Sequence, residues 1–191
     1  MMSNPNTVEF YNRYWAGEVA KLEAGRPCYL TDPQLGSIYA EIVERIGPTQ
    51  KRILDIGGGV SRLAQMAQAA GHIPLVIDAC DWAVWYLNHI GVGATLCSID
   101  RWRGKNFGVF DVTTCTEVLE HLDDPARAVK LARQHAPRAF FTVPNMTMGP
   151  EECSTHLRMY DADSLRALLE QHWTVVDIGV RYRWLLAEVK A

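Results

Sequence analysis

From about residue 51 the chain alternates short apolar runs with longer stretches of helical period, and this rhythm constrains the fold most. Lys51–Ile56 reads as a strand entering Gly57, Gly58 and Gly59, and Ser61–Ala70 as a helix stopped by Gly71. His72–Ile77 is a second strand, and Asp81–Ile90 a helix with Asp81 as its N-cap. Thr95–Ile99 and Phe110–Cys115 follow as strands three and four. Asp124-Pro125, a cap followed by proline at the first helical position, opens a helix to His135. Arg138–Val143 is a fifth strand, and Asp161 caps a helix over Ala162–His172 with Leu165, Leu168 and Leu169 on one face. Thr174–Val180 and Arg183–Val189 are separated by too few residues for a crossover helix, so this last pair must be antiparallel. Repeated strand–helix alternation implies a mostly parallel sheet with helices on both faces.

Residues 1–50 stand outside the alternation and carry Phe10, Tyr11, Tyr14, Trp15 and Tyr29. They are expected to form helices that cover the cleft, with 51–191 as the core, the whole of 1–191 being a single domain. Hydrophobic residues are 48% and charged residues 21% of the 191, which is globular composition. Nineteen Lys/Arg against 22 Asp/Glu, with no basic run, argue against clamping a nucleic-acid backbone. Contact with a single nucleotide stays open. Five cysteines, an odd number with no C-x-x-C spacing, read as reduced thiols of a cytoplasmic protein. Residues 1–20 lack the basic-then-apolar pattern of a secretory signal, and no apolar stretch approaches the roughly 18 residues that a membrane span needs.

In a doubly wound sheet, ligands bind beyond the carboxyl ends of the strands, so the informative residues should end strands. Gly57 and Gly59 would let the backbone turn tightly and approach a ligand. A nicotinamide site would want a third glycine where Arg62 stands, and Asp55 would repel a pyrophosphate. Asp55 instead suits a ligand with an ammonium group nearby. Asp78 ends strand two, 21 residues after Gly57, where an acid can accept both hydroxyls of a ribose. Asp100 ends strand three and can accept from an adenine amino group, with Ile99 and Trp102 as apolar walls.

The ordered blocks LDIGGGVS, VIDACDWAV, SID, FDVTTCTEVLEHLDDP, AFFTVPN and THLRMYDADSL resemble the class I S-adenosylmethionine-dependent methyltransferases over about residues 51–190. The resemblance implies an α/β, Rossmann-like three-layer sandwich whose seven-stranded, mostly parallel sheet has order 3-2-1-4-5-7-6 with strand seven antiparallel. It also implies that Asp55, Gly57, Gly58 and Gly59 cradle the methionine part of S-adenosyl-L-methionine. Asp78 and Ala79 would lie at the ribose and Ile99 and Asp100 at the adenine. Cys115 and Thr116 would supply the backbone flanking the sulfonium, and S-adenosyl-L-homocysteine would be the product. Ser61 departs from the family, which usually has a glycine there; serine at a helix start is still a good cap.

The stretch Glu117-Val118-Leu119-Glu120-His121 invites a metal reading, with His156 as a fourth ligand. It resembles the E-x-x-E-H cluster of terminal 2′-O-methyltransferases of small RNAs. The same stretch also resembles that of many metal-free small-molecule methyltransferases. The expectation is no metal, with Glu117, Glu120, His121 and His156 not converging. His121 and His156, after strands four and five, are candidate bases or substrate contacts. Tyr11 and Tyr14 fall at helical spacing and are candidates for the substrate side.

The expected function is methyl transfer to a small-molecule acceptor, its nucleophilic atom unspecified. The rivals are a metal-dependent enzyme of RNA ends, a nicotinamide oxidoreductase, and a non-catalytic cofactor-binding module of the same fold. No membrane partner is expected, and the sequence leaves the oligomeric state open.

Overall fold

The structure, a computed structural model, describes residues 6–102 and 107–191, so the first five residues of the expected N-terminal cover lie outside it. Among the described residues, seven strands form one sheet in the order β3-β2-β1-β4-β5-β7-β6. They are β1 (Arg52–Ile56), β2 (Ile73–Asp78), β3 (Ala94–Leu96), β4 (Val112–Thr116), β5 (Arg138–Pro144), β6 (Thr174–Arg181) and β7 (Trp184–Lys190). β1 to β5 pair in parallel, while β7 runs antiparallel to both β5 and β6. Order and sense match the expectation from the sequence. β4 is buried along its whole length, as a central parallel strand covered on both faces should be.

Three helices pack on one face: α2 (Pro33–Ile46), α3 (Arg62–Ala69) and α4 (Asp81–His89). Leu35, Ile38, Ile42, Leu63 and Ala67 meet Ile53, Val112, Phe140 and Leu186 there. On the other face, α5 (Pro125–His135) and α6 (Ala162–Leu169) bury Val129, Leu131, Leu165 and Leu169 against Leu54, Ile77, Phe141 and Leu185. The alternation of strand residues between these clusters is the period-two rule. An ion-pair lattice ties α2 to the terminal hairpin. Arg45 meets Glu41 at 2.7 Å and Asp177 and Glu188 at 3.1 Å, while Arg181 meets Glu41 at 2.8 Å.

The structure differs from the expected elements at their ends. β3 stops at Leu96, because Ser98–Trp102 folds into turns that tuck Ile99 into the core. Asp81 is the first residue of α4 rather than its cap. The Cys80 sulfur accepts from the Ala83 amide, and Asp81 instead accepts from Asn12 Nδ2 at 2.6 Å. Pro125 does open α5, but the Asp124 carboxylate turns to Arg127 at 3.4 Å instead of capping. α6 ends at Leu169, three residues early, and Asp161 caps it in a reciprocal box with Ser164.

The N-terminal helix α1 (Val8–Glu23) lies across the carboxyl ends of the strands. Asn12 holds it to the start of α4 through the Trp82 amide at 3.1 Å and the Cys80 thiol. Asn6, just before it, donates to the carbonyls of His121 and Thr155 on the far side. Phe141, fully buried in the α5–α6 core, tests the packing of the sheet: Phe141→Ala should cost about 3–5 kcal/mol, read by denaturant unfolding with an unchanged m-value.

Candidate active site

The site begins at Asp55, next to last in β1 and 1% exposed. Register places Asp55 opposite Thr114 of β4, whose hydroxyl donates to it at 2.6 Å. The Ser61 hydroxyl donates to its other oxygen at 2.5 Å. Burial pushes the Asp55 carboxyl upward, opposed by those two hydrogen bonds. Asp55 therefore acts on the glycine turn from beneath. Ser61 holds φ +27°, where glycine is favoured, and its hydroxyl also caps α3 at the Ala64 amide. The serine that departs from the family pattern is thus the clasp between turn, helix and buried acid. Gly57 and Gly59 have φ +73° and +58°. A β-carbon on Gly59 would collide with the Trp15 indole, so the turn also needs glycine to accept α1 above it.

Asp78 ends β2 beside this turn, with Ala79 following it. Its oxygens accept from the Gly59 amide at 2.8 Å and the Cys80 amide at 2.7 Å. A carboxylate has about four acceptor positions, so these amides leave acceptor capacity for a hydroxyl of a ligand. Burial raises its pKa, and the amides of Cys80, Gly59 and Ala79 oppose that. Asp100 is exposed, its carbonyl accepting from Arg127, while Ile99 is buried with Trp102 packed near it. Cys115 is fully buried in the α5–α6 core, so only its backbone can face the cleft; Thr116 ends β4 at the cleft wall. A small cavity of about 40 Å³ remains under α1, lined by Trp15, Tyr29, Tyr39, Gly57, Thr116 and Glu117.

Glu117 has φ +56°. It accepts from the Trp184 indole at 2.6 Å and from the Thr142 hydroxyl at 3.0 Å. β5–β7 register explains this reach, since Trp184 pairs with Pro144 at the strand end. Burial raises the Glu117 pKa to about 7, against the pull of Trp184, Thr142 and Arg183.

The expectation that the E-x-x-E-H cluster and His156 stay apart fails for three of the four residues. Glu120, His121 and His156 bring one ligand atom each within 4.8 Å of one another. Leu119–His121 is a 3-10 turn that throws Glu120 and His121 to one side. The Leu157 amide donates to the Glu120 carbonyl at 2.8 Å and ties the turn to the loop bearing His156. The two imidazoles meet edge to face, with centroids 4.7 Å apart. Glu117 is not part of this cluster; it bonds to Trp184 of β7 and Thr142 of β5 rather than to neighbouring loop groups. Burial lowers the His121 pKa to about 4 and lowers that of His156. Tyr11 meets His121 edge to face and donates to Asn6, while Tyr14 stacks on Phe10 and meets Trp15 edge to face.

Asn12, Thr114, Tyr39 and Trp184 were not singled out from sequence. Thr114 had a signal: it is a polar residue in a buried strand level with Asp55. Trp184 had none, since its partner lies 67 residues away.

A glycine turn after β1, an acid closing β2 and a reversed β7 define the class I methyltransferase fold. The methyltransferase-domain family model matches residues 32–172, and the chain belongs to that family. Curated relatives include the ubiquinone biosynthesis O-methyltransferase of Aromatoleum aromaticum, 35% identical over 94 residues, which are 46% of this chain and 40% of that protein. The corresponding enzyme of Pseudomonas aeruginosa is 32% identical over 95 residues, 47% and 41% of the two chains. The matched segment thus spans about two fifths of these relatives. Among solved structures, the N-methyltransferase NodS of Bradyrhizobium japonicum, in complex with S-adenosylhomocysteine, superposes with TM-score 0.71 at 16% identity over 97% of this chain and 98% of its own. The 1,6-didemethyltoxoflavin-N1-methyltransferase of Burkholderia thailandensis gives 0.69 at 18% identity, over 100% and 92%.

The raised Glu117 pKa carries a sign. Between about 4.5 and about 7 the native state keeps a proton that the unfolded chain releases, so stability falls as pH rises through that window. Glu117→Gln should remove up to about 2–3 kcal/mol of this fall, seen as a flatter melting-temperature profile between pH 4.5 and 7.5 than that of the parent.

Proposed function

We propose that this protein transfers a methyl group from S-adenosyl-L-methionine to a small-molecule acceptor and releases S-adenosyl-L-homocysteine. The observation that carries the reading is the Asp78 carboxylate, fixed by the Gly59 and Cys80 amides at the end of β2, where an acid can accept from a ribose diol. Asp55, Gly57, Gly58 and Gly59 would then bed the methionine part, Asp78 and Ala79 the ribose, and Ile99 and Asp100 the adenine. The backbone of Cys115 and Thr116 would lie beside the sulfonium, with α1 as the cover.

When bound, the cofactor supplies an already electrophilic methyl group. The chain's own part is then to orient the acceptor in line and exclude water, effects worth up to roughly 7–11 kcal/mol. α1 excludes water, and Tyr11 and Tyr14 would line the acceptor side. His121 and His156 keep neutral imidazoles at neutral pH, which suits contact with an acceptor hydroxyl better than strong general-base action. The curated relatives are named O-methyltransferases, and we infer an oxygen nucleophile. A formal charge of −3 and a Glu117 bonded to Trp184 weigh against an RNA-end substrate. Among the described residues, no helix is long and apolar enough to cross a membrane. Five free thiols suit a cytoplasmic setting.

Calorimetry should find one equivalent of S-adenosylhomocysteine bound and a melting temperature raised by mass action. Asp78→Asn should weaken that binding at least roughly tenfold while the variant stays folded by circular dichroism. Unchanged affinity in the folded variant would remove Asp78 from the site. Binding without turnover on any phenolic or other hydroxyl acceptor would favour the non-catalytic module.

A further inference from the structure

β6 closes one end of the sheet, and among the described residues no strand lies beyond it. A strand in that position presents a row of unpaired N–H and C=O groups, which proteins blunt with bulges, lysines or prolines. Here the bulge falls between Val175 and Asp177, near the start of the strand, and leaves residues 177–181 in regular register. The two-residue turn Tyr182-Arg183 joins β6 to β7 beyond the pair Arg181 and Trp184. A hairpin of that length closes on a pair that exchanges backbone hydrogen bonds, and successive pairs then alternate. Arg181, Gly179 and Asp177 therefore bond to β7, while Ile178 and Val180 turn their backbone groups to the open edge. The Val180 carbonyl bears this out, since it accepts from Arg181 Nη1 at 3.2 Å instead of from β7. The Val180 side chain is 54% exposed. Asp177 and Arg181 are held towards α2, by Arg45 at 3.1 Å and by Glu41 at 2.8 Å.

We propose that this edge binds a second copy of the chain, with β6 antiparallel to the same strand of the partner about a two-fold axis at Gly179. In such a contact each residue meets the one equally far on the other side of the axis. Ile178 then faces the partner's Val180, and each such pair exchanges both of its backbone hydrogen bonds. The exposed Val180 side chain is covered in the same step. Asp177 faces the partner's Arg181 at both ends of the pairing, in the positions where antiparallel strands bring side chains closest. Charge complementarity selects this register. Because strand faces repeat every second residue, the neighbouring alignments set Arg181 opposite Gly179 or Val175, and neither offers a carboxylate. Gly179 leaves room on the axis, where the Arg181 guanidinium already lies over it. The ion-pair lattice of α2 and the hairpin would thus continue into the partner, and two seven-stranded sheets would join edge to edge. β7, β5 and β4 separate this edge from β1 and its glycine turn, so the contact leaves the cleft free. The proposal rests on the edge alone and not on the methyltransferase reading.

The test is the mass of the full-length protein by sedimentation equilibrium over a concentration series, with amide hydrogen exchange read by residue. The parent should approach twice the mass of the chain as concentration rises, and added salt should weaken the dimer by screening Asp177 and Arg181. The Ile178 and Val180 amides should exchange at least roughly tenfold more slowly in the dimer than in dilute monomer. Val180→Lys places a charge on an exposed edge position, so it should keep the parent melting temperature at low concentration yet stay monomeric. Trp85→Lys, on the exposed side of α4 towards the opposite end of the sheet, should leave the dimer intact. Val180→Lys should also bind S-adenosylhomocysteine as the parent does, which separates failure at this edge from failure of the cofactor reading. A parent that stays monomeric up to about 1 mM, a dimer that survives Val180→Lys, or one that Trp85→Lys dissolves would overturn the proposal.

Discussion

Two short hydrogen bonds to one buried carboxylate organise the catalytic edge of this molecule. Asp55 receives Thr114 from the neighbouring strand and Ser61 from the start of α3. A buried acid left without them would cost several kcal/mol, so the turn cannot move away from β4 without exposing or stranding that charge. From this anchor the rest follows. Gly59 is placed to donate to Asp78, Asp78 fixes the start of α4, and α4 receives Asn12 of the covering helix. Asp55 thus works one layer below where a ligand would touch.

Carboxylates gather at this edge: Asp55, Asp78, Glu117 and Glu120 all have pKa values raised chiefly by burial. Such crowding disfavours the empty site and favours any ligand bringing positive charge.

The strand–helix alternation, the antiparallel last pair and the positions of Asp78 and the glycine turn were legible because they follow from local signals: apolar period, glycine, a short connection, and an acid at a strand end; the full strand order was implied by the family resemblance. The convergence of Glu120, His121 and His156 was not. It depends on a 3-10 turn between β4 and α5 and on a loop after β5 that comes back to it, a pairing across 35 residues with no local signature. The Asp81 cap failed for a simpler reason. Asn12 came from outside the local window and took that carboxylate for itself.

The N-terminal helix is fastened at both ends, by Asn12 over the start of α4 and by Asn6 over the loops that follow β4 and β5. Its Trp15 lies on the bare face of Gly59, and the cavity of about 40 Å³ beneath is far smaller than a nucleoside. A ligand that reaches the glycine turn must therefore dislodge a helix that is itself part of the fold. Exchange at this site can run no faster than that helix unlatches. Cofactor affinity and the local stability of residues 8–23 become two readings of one equilibrium, so any change that tightens the helix slows the traffic of ligand in both directions.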